Sequence, residues 1–381
     1  MTKQKYIARK EHYGWLLFNP VTQVVQRVNY DYIKRLKKRG VLIREIVNPI
    51  IESALSAPIK VFIDVTNYCN LQCLHCLSAS TPQNKIFLPY EHIHALIEEC
   101  HDFGIFIIKL GGGEPILRDD LWKIVDLIWT KGMAISMSTN GTMLNDEIIH
   151  NLKKYNIDIS VSIDGDENTH DYIRGKGVYK KAINTLKRLK KAGINPYIRF
   201  TLMTINLTTM KHVVKLSSDL GVRLKVRRAR PQKRTIENNL IIRDANREYF
   251  EALKILNAYK NCEVEDIMNF SNSIRDYLLI GSTDCGAGTR SIHVNFNGDI
   301  SPCIFLGNSF VDGDIYHTSL MDVWKNGEKT KIMRNIALNN ECKTCERKMI
   351  CHGECPAIRL YATGAFNGLD PSCLKVMGVV K

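Results

Sequence analysis

Residues 65–80 read VTNYCNLQCLHCLSAS and place Cys69, Cys73 and Cys76 in a C-x3-C-x2-C loop. The loop follows the β-rich run Val61–Thr66, so the three thiols stand just beyond the C-terminal end of a predicted strand. Three thiolates are one too few for the four irons of a cubane iron–sulfur cluster, which leaves one iron open to another ligand. Zinc is the alternative, with His75 as a fourth ligand, although zinc sites usually pair C-x2-C hairpins. Further along lie Gly111, Gly112, Gly113, Glu114 and Pro115, where the glycines permit positive φ and close backbone approach to a ligand. A strand-ending turn is the plainer reading of those glycines.

Working outward, β-rich runs alternate with amphipathic stretches. Strands are predicted at Val61–Thr66, Ile105–Leu110, Ala134–Thr139, Asp158–Ile163, Tyr197–Met203 and Arg223–Ala229. Helices are predicted near Tyr90–Phe103, Asp119–Lys131, Asn145–Tyr155, Val178–Ala192, Leu207–Leu220 and Ala245–Ala258. This alternation gives an α/β fold with a parallel sheet. Six repeats, too few for an eight-fold barrel, point to an open, partial (β/α)6 TIM-like barrel. Ligands in such folds gather at the C-terminal ends of strands. That rule selects Ser138, Thr139 and Asn140 after the third strand, Ser162 and Asp164 after the fourth, and Arg174 in the loop HDYIRGKG. Ordinary turns are the competing reading for each.

The other cysteines are equally patterned. Cys285 is followed by Gly298 and Cys303, then by Cys342-x2-Cys345-x5-Cys351-x3-Cys355, and last by Cys373. Two of the twelve cysteines remain outside the patterns: Cys100, in an apolar helical stretch and read as a buried structural thiol, and Cys262.

Composition narrows the class. The chain has 381 residues, 45% hydrophobic and 24% charged, with a formal charge of +14. No apolar run approaches the ~20 residues of a membrane helix, and the opening MTKQKYIARK lacks a signal-like stretch, so a cytoplasmic protein is expected. There the cysteines are more suited to metal or redox chemistry than to disulfides. Residues 1–57 carry eleven Lys or Arg against four acids. YIARKEHYGWLLFNPVTQVVQRVN reads as two strands about an Asn-Pro turn, and Asp31–Arg39 as a basic helix. This N-terminal hairpin-helix extension is either a cap on the barrel or a small peptide-recognition module with an edge strand for an extended leader peptide. The run RLKVRRARPQKR at 223–234 has seven positive residues and no acid, and Arg227 or Arg228 is placed to hold a carboxylate. No nucleic-acid recognition motif accompanies the charge.

The cysteine trio with the Gly-Gly-Glu segment resembles the radical S-adenosylmethionine (radical SAM) enzymes. The resemblance implies a [4Fe-4S] cluster on Cys69, Cys73 and Cys76, with SAM on the fourth iron and Gly112, Gly113 and Glu114 meeting its amino group. It further implies SAM contacts at Thr139, Asn140, Ser162, Asp164 and Arg174, and no ligand role for His75. The C-terminal series resembles the seven-cysteine SPASM domain of radical SAM peptide maturases. That implies two auxiliary [4Fe-4S] clusters, one on Cys285, Cys303 and Cys355 and one on Cys342, Cys345, Cys351 and Cys373, three clusters in all. The first auxiliary set is one ligand short, because Ser291 stands where some relatives have a cysteine; Cys262, substrate or an open position completes it. Ile304 stands where sulfatase-maturing enzymes carry an acidic base, which counts against that activity.

The strings CLHCLSAS, LGGGEP and CGAGTR look most like the mycofactocin maturase and tyramine-excising splicease group. The expected function is hydrogen abstraction by a 5′-deoxyadenosyl radical from a ribosomally made precursor peptide with a leader. The net reaction is expected to be oxidative: tyrosine decarboxylation, tyramine excision or crosslinking. Expected partners are that peptide, a separate peptide-recognition protein and an electron donor such as flavodoxin or ferredoxin, with no nucleic acid and no membrane. The rivals are a radical SAM decarboxylase of a haem-type precursor and a zinc-stabilised basic binding module. The expected domains are 1–57, 58–280 for the barrel and 281–381 for SPASM.

Overall fold

The computed structural model describes residues 5–243, 247–265, 285–307, 309–346 and 348–373. The expected boundary at 280/281 and the start of the helix expected at Ala245 lie outside these residues.

The N-terminal segment forms β1 (Tyr6–Glu11), β2 (Gly14–Asn19), β3 (Val24–Val28), helix α1 (Tyr30–Lys38) and β4 (Ile43–Val47). The sheet order is β3-β2-β1-β4, with β4 parallel to β1 and β3 at an edge. The expected two strands are therefore three, followed by a fourth beyond the helix. The Asn-Pro turn is present, held by Val21 N–H donating to Asn19 Oδ1 at 3.0 Å. A second turn at His12–Tyr13 cuts the first run in two; it leads into Gly14 at φ 136°, a value that favours glycine. Buried Arg9 ties this sheet to the next unit, donating from Nη1 to the carbonyls of Pro58 (2.8 Å) and Gly104 (2.9 Å). Its Nε is held by Glu11 at 2.8 Å, and Glu11 in turn accepts from the Ser56 N–H at 2.7 Å.

The barrel strands are β5 (Lys60–Thr66), β6 (Ile107–Gly112), β7 (Ala134–Thr139), β8 (Asp158–Ser162), β9 (Tyr197–Leu202) and β10 (Arg223–Arg228), all parallel and in sequential order. Crossover helices α2 (Tyr90–Asp102), α3 (Leu121–Thr130), α4 (Asp146–Lys154), α5 (Glu167–Arg174), α6 (Val178–Lys191) and α7 (Met210–Leu220) complete the partial (β/α) barrel. The second strand ends two residues later than expected because Gly111 and Gly112 still pair, with Asp64 and Thr66. The sheet also runs beyond six strands. β11 (Cys262–Glu265) adds in parallel to β10, and β12 (Ser291–Val294) adds in parallel to β5. Short antiparallel strands β13 (Asp299–Ser301) and β14 (Gly313–Asp314) follow β12.

Period-two patterning explains where the cavity lies. One face of each strand is apolar and buried among the helices: Val61, Ile63 and Val65 on β5, Ile108 and Leu110 on β6, Leu224 and Val226 on β10. The opposite face carries polar, charged and glycine positions, among them Asp64, Lys109, Gly111, Ser138, Ser162, Arg199 and Arg227. Eight-fold barrels fill that interior with branched apolar side chains. Here it encloses a cavity of about 790 Å³.

The C-terminal region is anchored to the same body. The Glu99 carboxylate on α2 accepts from the N–H groups of Leu320 (3.0 Å) and Met321 (2.9 Å), at the start of the helix Leu320–Asn326. Buried Trp324 donates from Nε1 to the Leu55 carbonyl at 2.9 Å. Among the described residues no helix is long and apolar enough to cross a membrane.

Candidate active site

The cysteine loop leaves β5 and is stitched to the glycine strand beside it. Gly113 N–H donates to the Thr66 carbonyl at 2.8 Å and Glu114 N–H to the Tyr68 carbonyl at 2.9 Å. A Cβ on Gly112 would stand 2.1 Å from the Thr66 oxygen, and one on Gly113 2.0 Å from the Tyr68 oxygen. Side chains at either position would push the cysteine loop off its strand. Within the loop, Leu71 N–H points at Cys69 Sγ (3.4 Å) and Ser80 N–H at Cys76 Sγ (3.3 Å). Burial pushes the thiol of Cys69 up to about 12 and that of Cys73 up to about 11, so both are neutral unless a cation takes the place of the proton.

Glu114 is fully buried and lines the cavity. Its carboxylate accepts from Asn140 N–H at 2.7 Å, and burial lifts it to about 7 despite the hydrogen bonds. Asn140 Nδ2 donates to Asn70 Oδ1 at 2.8 Å, joining the third strand's exit to the cysteine loop. Thr139 Oγ1 accepts from Gly141 N–H at 3.1 Å. Thr139, Asn140 and Ser162 all line the cavity with Glu114.

Arg174 is not in a loop; it ends α5, whose N-terminus is capped by Asp166 accepting from Thr169 N–H at 2.9 Å. Its guanidinium reaches the cysteines, with Nη1 3.8 Å from Cys73 Sγ and Nη2 3.2 Å from His75 Nε2. Because arginine only donates, Nε2 of His75 is the acceptor there; burial holds that imidazole down at about 4, hence neutral. Asp164 differs from its expected role. It is fully buried behind the cavity wall, where Oδ2 accepts from Arg174 Nε (2.6 Å) and Oδ1 from Thr201 N–H (2.9 Å). Burial works to raise its pKa, yet Arg174, His75 and His170 hold it at about 2. Asp164 therefore orients Arg174 and offers no surface to a ligand in the cavity.

No disulfide joins any of the twelve cysteines. Cys285, Cys303, Cys351 and Cys355 line the same cavity as the first trio. Burial raises the Cys303 thiol, and the neighbouring Cys355 and Cys285 raise it further. Cys351 is raised by burial, then by Glu354, with Cys373 adding to it. Cys342 Sγ lies 3.6 Å from where a Gly353 Cβ would stand. Cys100 is fully buried in α2. Cys262 opens β11, paired with Leu224, packs against the barrel core and does not line the cavity. The donor set around the cavity is soft thiol with backbone N–H groups aimed at sulfur, which fits iron–sulfur clusters.

Arg227 and Arg228 diverge by strand alternation. Arg227 lines the cavity, whereas Arg228 is buried on the other side and is taken by the protein's own carboxylates, Asp370 and Glu354. Of the two arginines, Arg227 is therefore the one that faces the cavity. Among the cavity residues that escaped the sequence reading are Asp64 and His293, whose Oδ2 and Nε2 are 3.0 Å apart. The signal was a lone acid inside the apolar strand KVFIDVT.

Residues 63–220 match the radical SAM superfamily, and residues 285–346 match SPASM, an iron-sulfur cluster-binding domain. Mycofactocin maturase MftC of Mycolicibacterium smegmatis is 27% identical over 335 residues, 86% of this chain and 85% of that protein. The AdoMet-dependent heme synthase of Methanosarcina barkeri is 28% identical over 344 residues, 84% of this chain and 97% of that protein. The crystal structure of Streptococcus suis SuiB bound to precursor peptide SuiA superposes with a TM-score of 0.72 at 17% identity, over 97% of this chain and 98% of that one, a shared fold.

Proposed function

Given a chain that carries a radical SAM domain and a C-terminal SPASM domain, we propose that it modifies a ribosomally made precursor peptide. The observation that carries this reading is the single cavity in which the two sets of cysteines meet, beside a small N-terminal sheet with an edge strand. With clusters bound by its cysteines and SAM bound along Gly112–Glu114, the site would supply a hydrogen-abstracting radical and electron-transfer centres. Cys69, Cys73 and Cys76 would hold the SAM-binding cluster. Cys285, Cys303 and Cys355 would hold one auxiliary cluster, and Cys342, Cys345, Cys351 and Cys373 the other.

The chain's own residues do the rest. Glu114 would accept a hydrogen bond from the amino group of SAM, and its buried carboxylate accepts most strongly as an anion. Thr139, Asn140 and Ser162 offer hydrogen bonds at the strand ends. Arg174 sets the electrostatics at Cys73, and Asp164 fixes Arg174. The barrel excludes water from the reacting centre. Edge strand β3 suits an extended leader by strand addition. Centres held by the C-terminal cysteines would be able to withdraw an electron, which would make the net reaction oxidative, as decarboxylation, excision or crosslinking, with flavodoxin or ferredoxin as donor and a cytoplasmic location.

Co-expression with candidate precursor peptides, short reading frames sought in the gene's neighbourhood, followed by mass spectrometry, tests the reading. A loss of mass marks excision or decarboxylation, and a two-hydrogen loss marks crosslinking. The similarity to a heme synthase supports a second reading, decarboxylation of a haem-type precursor. An unchanged peptide together with a decarboxylated tetrapyrrole would favour it.

A further inference from the structure

Asp64 breaks the apolar run of β5, and a buried carboxylate is costly unless paired. Its partner comes from 229 residues away: His293 Nε2 is 3.0 Å from Asp64 Oδ2. His293 Nδ1 is 3.3 Å from the Ser301 hydroxyl. All three residues are buried, yet all three line the cavity. An ionised carboxylate only accepts, so Nε2 carries a proton toward Oδ2. That engages one carboxylate oxygen and both ring nitrogens.

The other oxygen faces the glycine strand. Oδ1 lies 3.1 Å from where a Cβ would stand on Gly111, and Asp64 Cβ is 3.3 Å from the corresponding point on Gly112. Oδ1 thus packs into the space left by the missing Gly111 side chain, while Asp64 still lines the cavity. A merely structural strap is a poor account of the pair. β5 and β12 are already joined by backbone pairing at Phe62 and His293, and apolar residues of similar volume would join them without the desolvation cost.

We propose that Asp64, oriented by His293, contacts the substrate. Oδ1 accepts a hydrogen bond from an N–H or O–H of the bound peptide residue and so turns one carbon of that residue toward the hydrogen-abstracting site. Asp64 is then a substrate-binding residue beside the SAM strand, and His293 a positioning residue. This inference rests on the peptide-modifying reading above.

The test uses the reconstituted holoenzyme with, as probe, the candidate precursor peptide that co-expression shows to be modified. Three quantities are read: SAM affinity by titration, 5′-deoxyadenosine released, and modified peptide formed. Asp64→Asn keeps SAM affinity but releases about tenfold more deoxyadenosine per modified peptide, the loss of one charge-assisted hydrogen bond. His293→Gln, which still donates to Oδ2, raises the ratio by less. An unchanged ratio in Asp64→Asn overturns the proposal. So does a parallel fall of SAM affinity and both products, which would make Asp64 part of the cofactor pocket. If Asp64→Asn is insoluble, His293→Gln decides alone, and an unchanged ratio there overturns it. A wild-type enzyme that cleaves SAM but leaves the peptide untouched overturns the functional reading and this proposal together.

Discussion

Arg228, at the end of β10, and Asp370, in the last described turn of the chain, form a buried two-pronged ion pair, Nη1 to Oδ1 at 3.0 Å and Nη2 to Oδ2 at 2.8 Å. Glu354 adds a third carboxylate oxygen at 3.1 Å. Asp370 lies three residues before Cys373 and Glu354 immediately before Cys355, so one barrel arginine holds the turns that lead into both cysteines.

Replacing Arg228 by methionine leaves two buried carboxylates without their cation and should cost about 3–5 kcal/mol. The expected outcome is a lower melting temperature with reduced iron and sulfide per chain. Iron analysis combined with thermal denaturation checks it; wild-type iron content at a wild-type melting temperature would contradict it.

Gly113 predicts a sharper failure. An alanine Cβ there meets the Tyr68 carbonyl at 2.0 Å, and backbone cannot move aside cheaply. Gly113→Ala should displace the Cys69 loop and lose the first cluster while keeping the C-terminal ones. Electron paramagnetic resonance of the reduced protein distinguishes these signals.

How much of this was legible beforehand follows from how local each signal is. Cys69, Cys73, Cys76 and Glu114 belong to short motifs whose spacing carries their chemistry, and they converge on one cavity as strand-end placement predicts. The six core strands followed from apolar runs of ordinary length. The flanking strands did not, because Cys262–Glu265 and Ser291–Val294 have four residues each and gain their partners only across the chain. Arg174 was assigned to a loop although Asp166 carries a helix cap signal. Asp164 was selected by its place after a strand end, yet it is buried against Arg174, and of the alternatives Arg227 and Arg228 it is Arg228 that is consumed by internal carboxylates, which leaves Arg227 at the cavity.

Glu114 gives a pH dependence with a definite sign. Its raised pKa of about 7 reflects burial, so the carboxylate gains a proton as pH falls through that value. SAM, whose amino N–H groups would donate to that carboxylate, should bind more weakly as pH falls through about 7 and level off above it. Calorimetric titration between pH 5.5 and 8, in buffers matched about 0.1 M in ionic strength, checks this. Glu114→Gln should flatten the profile at the low-affinity end.

If Cys69, Cys73 and Cys76 hold the centre that cleaves SAM, their loss abolishes that cleavage. This is tested most directly by measuring 5′-deoxyadenosine from the anaerobically reconstituted, reduced protein and from the variant with all three changed to alanine. The wild type should release deoxyadenosine and methionine, while the variant releases none yet keeps the iron bound by its C-terminal cysteines. Deoxyadenosine formation by the triple variant at the wild-type rate would contradict the account.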